Sequence, residues 1–172
     1  GRGCVITTFE QVLKCSTKGE TMEVTLFING KPFGKQRPRF SAGHAYTPKE
    51  TREYEQRIKN VWKAKKLPMM DGYINLYIEA NYPVPEYDPK WKRMAKLMGV
   101  LFPGKPDVDN IGKICADALN GLAFPDDSRV TLLTIAKKYS DYAGVRVTIT
   151  STEPIEERIE KFKREHRNII HS

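Results

Sequence analysis

KPDVDNIGKICADALNGLAFPDDSRV, residues Lys105 to Val130, decides how the rest of the chain is read. From Asn110 to Asn120 the spacing predicts a helix. Ile111, Ile114, Cys115, Ala118, Leu119 and Leu122 recur at i, i+3, i+4, i+7, i+8 and i+11, which makes one continuous apolar face. Gly121 is placed to end that helix in the left-handed conformation. At about 100° per residue, Lys113 and Asp117 fall roughly 40° and 80° round from Asp109. These three residues therefore share the face turned away from the core. Asp107, two residues earlier in extended chain, points the same way as Asp109. After the turn at Asn120-Gly121 come Asp126 and Asp127, just before an alternating strand.

Each of these aspartates has an ordinary structural job. Asp109 suits a helix N-cap, Asp107 a turn after Pro106, and Asp126-Asp127 a turn after Pro125. Together they need a common reason, because the chain carries 29 Lys+Arg against 21 Asp+Glu, a net charge of +8. Hard divalent cations require clustered oxygen ligands. Two or three carboxylates hold Mg²⁺ and leave water positions open, so that a bound water is acidified and a leaving oxygen steadied. Lys113 is a poor ligand but a good electrostatic partner for a phosphoryl transition state.

The basic balance, with a pI near 9.4, points to a polyanionic partner, and nucleic acid leads. A second run, KPFGKQRPRF from Lys31, adds to this. Pro38 keeps the residue before it extended, so Arg37 and Arg39 project on one side with Phe40 beside them. Paired guanidiniums suit phosphate contact. No apolar run approaches a membrane span, and no ordered signal peptide is visible. The three cysteines, Cys4, Cys15 and Cys115, lack C-x-x-C spacing. That argues against a disulfide scaffold and a cysteine zinc site, and it fits a reducing cytoplasm.

Working outward, Glu23–Asn29 alternates as a strand, with Val24, Leu26 and Ile28 on one side. Residues 31–48 read as a loop with short extended pieces. Thr47-Pro48-Lys49-Glu50 is a helix start, and the stripe Tyr54, Ile58, Val61, Trp62 carries that helix to about Lys66. Gly72–Val84 holds a second strand. Asp88-Pro89 opens a short basic helix to Leu97. Val130–Tyr139 and Gly144–Ser151 read as a hairpin, and Pro154–His171 as a final helix. A short helix is expected at Phe9–Lys14. The order is mixed α+β: a single domain, residues 22–172, with a mixed sheet flanked by helices and a C-terminal helix over 154–171. Residues 1–21 are an arm or an extension left from expression, with Met22 as a candidate natural start.

Two motifs carry a resemblance. K-P-D-x-D-N-x-x-K-x-x-x-D-A-L-N-G followed by D-D, and the upstream K-x-R-P-R-F with Y-T-P at Tyr46-Thr47-Pro48, resemble the RusA family of Holliday junction resolvases over roughly residues 22 to 150. The resemblance implies a RusA-like fold and Mg²⁺-dependent endonuclease action, with Mn²⁺ as a substitute, on four-way DNA junctions. It also implies a homodimer with two active sites. By position, the family's acidic residues fall on Asp107, Asp109 and Asp127, and its essential lysine on Lys113. Asn110, Asp117 and Asp126 take supporting roles. Lys35, Arg37, Arg39 and Lys105 are expected to hold backbone phosphate. Three alternatives remain. One is a metal nuclease for other branched DNA such as flaps, and another is a non-catalytic junction-binding protein. The third, a D-x-D phosphatase or glycosyltransferase, is disfavoured because Phe-Pro-Gly-Lys-Pro, and not a hydrophobic strand, precedes the motif.

Overall fold

The computed structural model describes residues 21–170, so the helix expected at Phe9–Lys14 lies outside the described residues. The element order is β1 (Met22–Asn29), β2 (Arg39–Ser41), β3 (His44–Tyr46), α1 (Lys49–Ala64), β4 (Ile74–Pro83), α2 (Lys90–Leu97), α3 (Val108–Leu119), β5 (Val130–Ser140), β6 (Gly144–Ser151), α4 (Ile155–Glu165) and α5 (Arg167–Ile170). A 3₁₀ turn, Asp127–Arg129, leads into β5. This is the mixed α+β class the sequence predicts.

Four strands form the main sheet in the order β1-β6-β4-β5. β6 runs antiparallel to both β1 and β4, while β4 and β5 are parallel. Alternation puts one face of each strand inward: Val24, Leu26 and Ile28; Val145, Val147 and Ile149; Ile74, Leu76, Ile78 and Ala80. Onto that face pack Tyr54, Ile58 and Trp62 of α1 and Ile111, Ile114, Cys115, Ala118 and Leu119 of α3. Gly112 lets α3 lie close on β5, since a Cβ there would stand 2.4 Å from Ile135 Cδ1.

The structure corrects several sequence expectations. β5 and β6 are consecutive but do not form a hairpin. β4 lies between them, and residues 141–143 cross its end. Their alternating patterns fit any neighbour in the sheet, and β4 completes the hydrogen bonding of both. A hairpin does exist where a loop was expected. β2 and β3 pair through a two-residue turn, Ala42-Gly43, with φ of +49° and +79°, as a hairpin turn requires. Thr47 makes no cap bond, and α1 begins after Pro48. Asp88 does not cap α2 either. Its carboxylate pairs with Lys96 and, at 3.5 Å, with Lys92. The final helix is broken at His166 into α4 and α5.

Candidate active site

The site grows from the first turn of α3. The chain enters it through residues 103–107, where the Lys105-Pro106 peptide bond is cis. Lys137 on β5 steadies this entry: its Nζ donates to the carbonyls of Gly104 and, at 3.1 Å, of Pro106. Asp107 stands at the helix N-cap without a side-chain cap bond. Its carboxylate instead takes both oxygens to Lys105 Nζ, at 2.9 and 3.0 Å. That contact holds the Asp107 carboxyl below the usual carboxylate range. Asp109, exposed in the first helical turn, faces solvent as predicted.

The 31–36 loop closes against this turn. Lys35 N donates to Asn110 O at 2.9 Å. Gly34 makes the approach feasible, because a Cβ there would lie 2.6 Å from Pro106 Cβ. Between loop and helix runs a cleft of about 380 Å³, lined by Lys31, Phe33, Lys35, Lys105, Asp107 and Asn110 among others. It is basic on both walls and carries Asp107 at one lip.

Behind the cleft lies a chain of charges. Lys35 Nζ binds Glu55 of α1 and sits 3.2 Å from Asp117, and Asp117 is 3.7 Å from Lys113. Burial alone lowers the pKa of Lys35, but hydrogen bonds to Glu55 and Asp117 outweigh it, and the ammonium stays above its ordinary value. Asp117 thus ties the loop lysine to Lys113, which remains mostly exposed on the outer face of α3. Asp126 is occupied in the turn. Its carboxylate accepts from Ser128 N at 3.3 Å, and bonding with Ser128 lowers its pKa.

The predicted residues fall into groups. Lys35, Lys105, Asp107 and Asn110 meet at the cleft, and Asp109, Lys113 and Asp117 follow along the same helix. Asp127 stands apart. It follows the far end of α3, a helix of 12 residues and so about 18 Å long. Among the described residues no three acidic, histidine or cysteine side chains come together as a metal-holding group. Arg37 and Arg39 are exposed and lead into the β2–β3 hairpin, where Phe40 is 78% exposed. Sequence reasoning missed Glu55 and Lys137. Neither belongs to a local motif, and each reaches the site from an element distant in sequence.

With this geometry in view, comparison with known proteins is decisive. The family model described as Endodeoxyribonuclease RusA matches residues 29–150. The chain belongs to the RusA family. The match runs from the last residue of β1 to the penultimate residue of β6 and takes in every residue of the RusA-like site described above. A relative from Bacillus subtilis (strain 168), the uncharacterized protein YqaN, is 32% identical over 130 residues, covering 71% of this chain and 92% of its own. α4 and α5 lie beyond the RusA match. Among the described residues no helix is long and apolar enough to cross a membrane.

Proposed function

We propose that the protein is a divalent-metal-dependent endodeoxyribonuclease that resolves four-way DNA junctions by paired phosphodiester hydrolysis, working in the cytoplasm as a two-fold dimer. The observation that carries this reading is the first turn of α3. It presents Asp107 at the lip of a cleft whose walls hold Lys31, Lys35 and Lys105, with Asp109 exposed in the same turn and Lys113 one turn on. Membership of the RusA family supports the endonuclease class.

Asp107 and Asp109 fit Mg²⁺ in donor chemistry. Both are exposed carboxylates, and Mg²⁺ commonly takes one or two such ligands with water and substrate phosphate completing its shell. When bound, the ion supplies Lewis acidity to the phosphate and an acidified water. The chain's own residues do the rest. Lys31 and Lys105 draw the DNA backbone into the cleft, Lys35 braces the loop through Glu55 and Asp117, and Arg37 and Arg39 extend that basic track along the hairpin. Lys113 balances the negative charge that builds on the phosphoryl oxygens as the water oxygen bonds to phosphorus and one ester P–O bond breaks. Asp117 positions Lys113, and Asp126 shapes the turn. Asp127, at the other end of α3, joins Asp107 and Asp109 only across a subunit boundary. A two-fold dimer provides that boundary and sets two sites on a pseudo-symmetric junction.

The test is a pair of variants. Asp109→Asn and Asp127→Asn, each alone, should bind a synthetic four-way junction at wild-type affinity and fail to cut it. Mixed after exchange of subunits, they should regain cutting, because one site of each mixed dimer then keeps both carboxylates. Undiminished cutting by Asp109→Asn contradicts the metal assignment, and no recovery on mixing contradicts the shared site.

A further inference from the structure

A second pocket opens beside the cleft of the candidate site. Its volume is about 480 Å³, within the range of sites that take small organic groups. Lys31 and Lys105, both exposed, line the cleft and the pocket alike, so the two adjoin along these lysines.

The rest of the pocket is built from strand ends and from the entry to α3. Pro83, Val84 and Pro85 come from the point where β4 runs out, and Pro103 from the segment that leads to the cis peptide. Tyr82 and Tyr139, register partners on the parallel strands β4 and β5, complete the lining. Lys137 fixes the entry segment through the carbonyls of Gly104 and Pro106, so the pocket is formed in advance of any occupant.

Tyr82 is 4% exposed, and its hydroxyl is buried with no hydrogen-bond partner among the described residues. A buried polar group without a partner is rare and calls for one in whatever the pocket takes. Proline and tyrosine rings offer flat apolar faces of the kind on which nucleobases stack. A phosphate group suits the pocket poorly. Beyond the two shared lysines the described lining carries one charge, the acidic Glu86. A base ring matches the walls. Its edge supplies an acceptor for the Tyr82 hydroxyl and, where it bears an amino group, a donor to Glu86. A strand whose phosphate rests on Lys31 and Lys105 brings a base to the mouth of this pocket.

We propose that the pocket receives one nucleobase turned out of the DNA stack beside the phosphate held in the cleft. The inference rests on the nuclease reading above and adds to it a source of selectivity for branched DNA. Turning a base out is least unfavourable where it is already unpaired. An opened crossing point supplies such a base, and continuous duplex does not.

The experiment measures the coupling between pocket and base in the full-length protein. The incision in a synthetic four-way junction is first mapped with Mg²⁺. A single abasic residue is then moved through the positions flanking it, and Kd is measured with Ca²⁺ in place of Mg²⁺. The wild type should lose about 5- to 150-fold in affinity at one position, as removal of a stacked base does. Val84→Trp, which fills the pocket, should bind the intact junction more weakly by a similar factor and lose nothing further to the abasic residue at that position. Tyr82→Phe removes only the unpartnered hydroxyl, so it keeps the fold even where Val84→Trp does not. It should lose about 2- to 10-fold on the intact junction and nothing on the abasic one. Circular dichroism checks that both variants are folded. No position sensitive to base removal, or losses from variant and abasic residue that simply multiply, overturn the pocket and leave the nuclease intact. Coupling of the variants with a neutral methylphosphonate instead of with base removal assigns the pocket to a phosphate and also overturns it. A wild type that cuts no junction with Mg²⁺ overturns both the pocket and the nuclease reading.

Discussion

Gly34→Ala tests how tightly the cleft is assembled. The added Cβ would meet Pro106 Cβ at 2.6 Å and Asn110 Cβ at 3.1 Å. Carbon atoms settle near 3.5–4.0 Å, so loop and helix start must part by roughly 1 Å. The neighbours are poor at yielding. Pro106 is a ring in an entry held by Lys137, and the loop is pinned by the bond from Lys35 N to Asn110 O. Overpacking of this sort costs about 1–3 kcal/mol, or roughly 2–12 °C in melting temperature for a domain of this size. Misplacement of about 1 Å in a catalytic arrangement costs on the order of 100-fold in rate. The expected outcome is a modestly destabilised protein whose junction cleavage falls about 10- to 100-fold. Thermal melting and single-turnover cleavage on the same preparation measure both. Gly104→Ala is the control, since nothing lies within 4 Å of its Cβ and its φ is not positive. Wild-type melting and cleavage in Gly34→Ala would refute the close approach of loop to helix, and with it the cleft.

Other expectations follow from the same geometry. Lys113→Ala should bind junction DNA normally and cut about 100- to 1,000-fold more slowly, as electrostatic donors typically do when removed; equal loss of binding and cutting would make it a docking residue. Arg37→Ala with Arg39→Ala should lower the slope of log affinity against log salt by about 2, and an unchanged slope would remove both from the DNA track. The Asp88 carboxyl is held below its ordinary value chiefly by its hydrogen bond from Lys96. A depressed carboxyl contributes stability above the unfolded value, near pH 4, and loses it as pH falls through the lower folded value. Urea midpoints of wild type and Lys96→Met should therefore converge on acidification below pH 4; curves that stay parallel would contradict the pairing.

What was legible in the sequence was local. The face of α3 follows from a 3.6-residue period, and burial of Ile111, Ile114, Cys115, Ala118 and Leu119 accords with it. The placement of Asp109, Lys113 and Asp117 on the outer side came from the same angle. The strand face of β1 was equally plain. Pairing was not, because alternation tells which side of a strand is buried but not which strand lies beside it. β4 therefore entered between β5 and β6 unannounced. The Ala42-Gly43 turn lacks the Asn-Gly signal, so its hairpin went unread. Asp88 looked like a cap because local chemistry allows it, yet Lys96 eight residues on claims the carboxylate. In the site, Glu55 and Lys137 were hidden for the same reason, as long-range partners of Lys35 and of the loop before Asp107. The separation of Asp127 from Asp109 by the length of α3 also needed coordinates. Adjacent motifs in sequence had suggested one cluster.

The most direct measurement sets three synthetic substrates, a four-way junction, a flap and a plain duplex, against the purified full-length protein with Mg²⁺ and with chelator. Paired, symmetric incisions are expected in the junction with Mg²⁺, little or no cutting of the duplex and flap, and none of any substrate with chelator. Equal cutting of all three, or junction cutting that survives chelation, would contradict it.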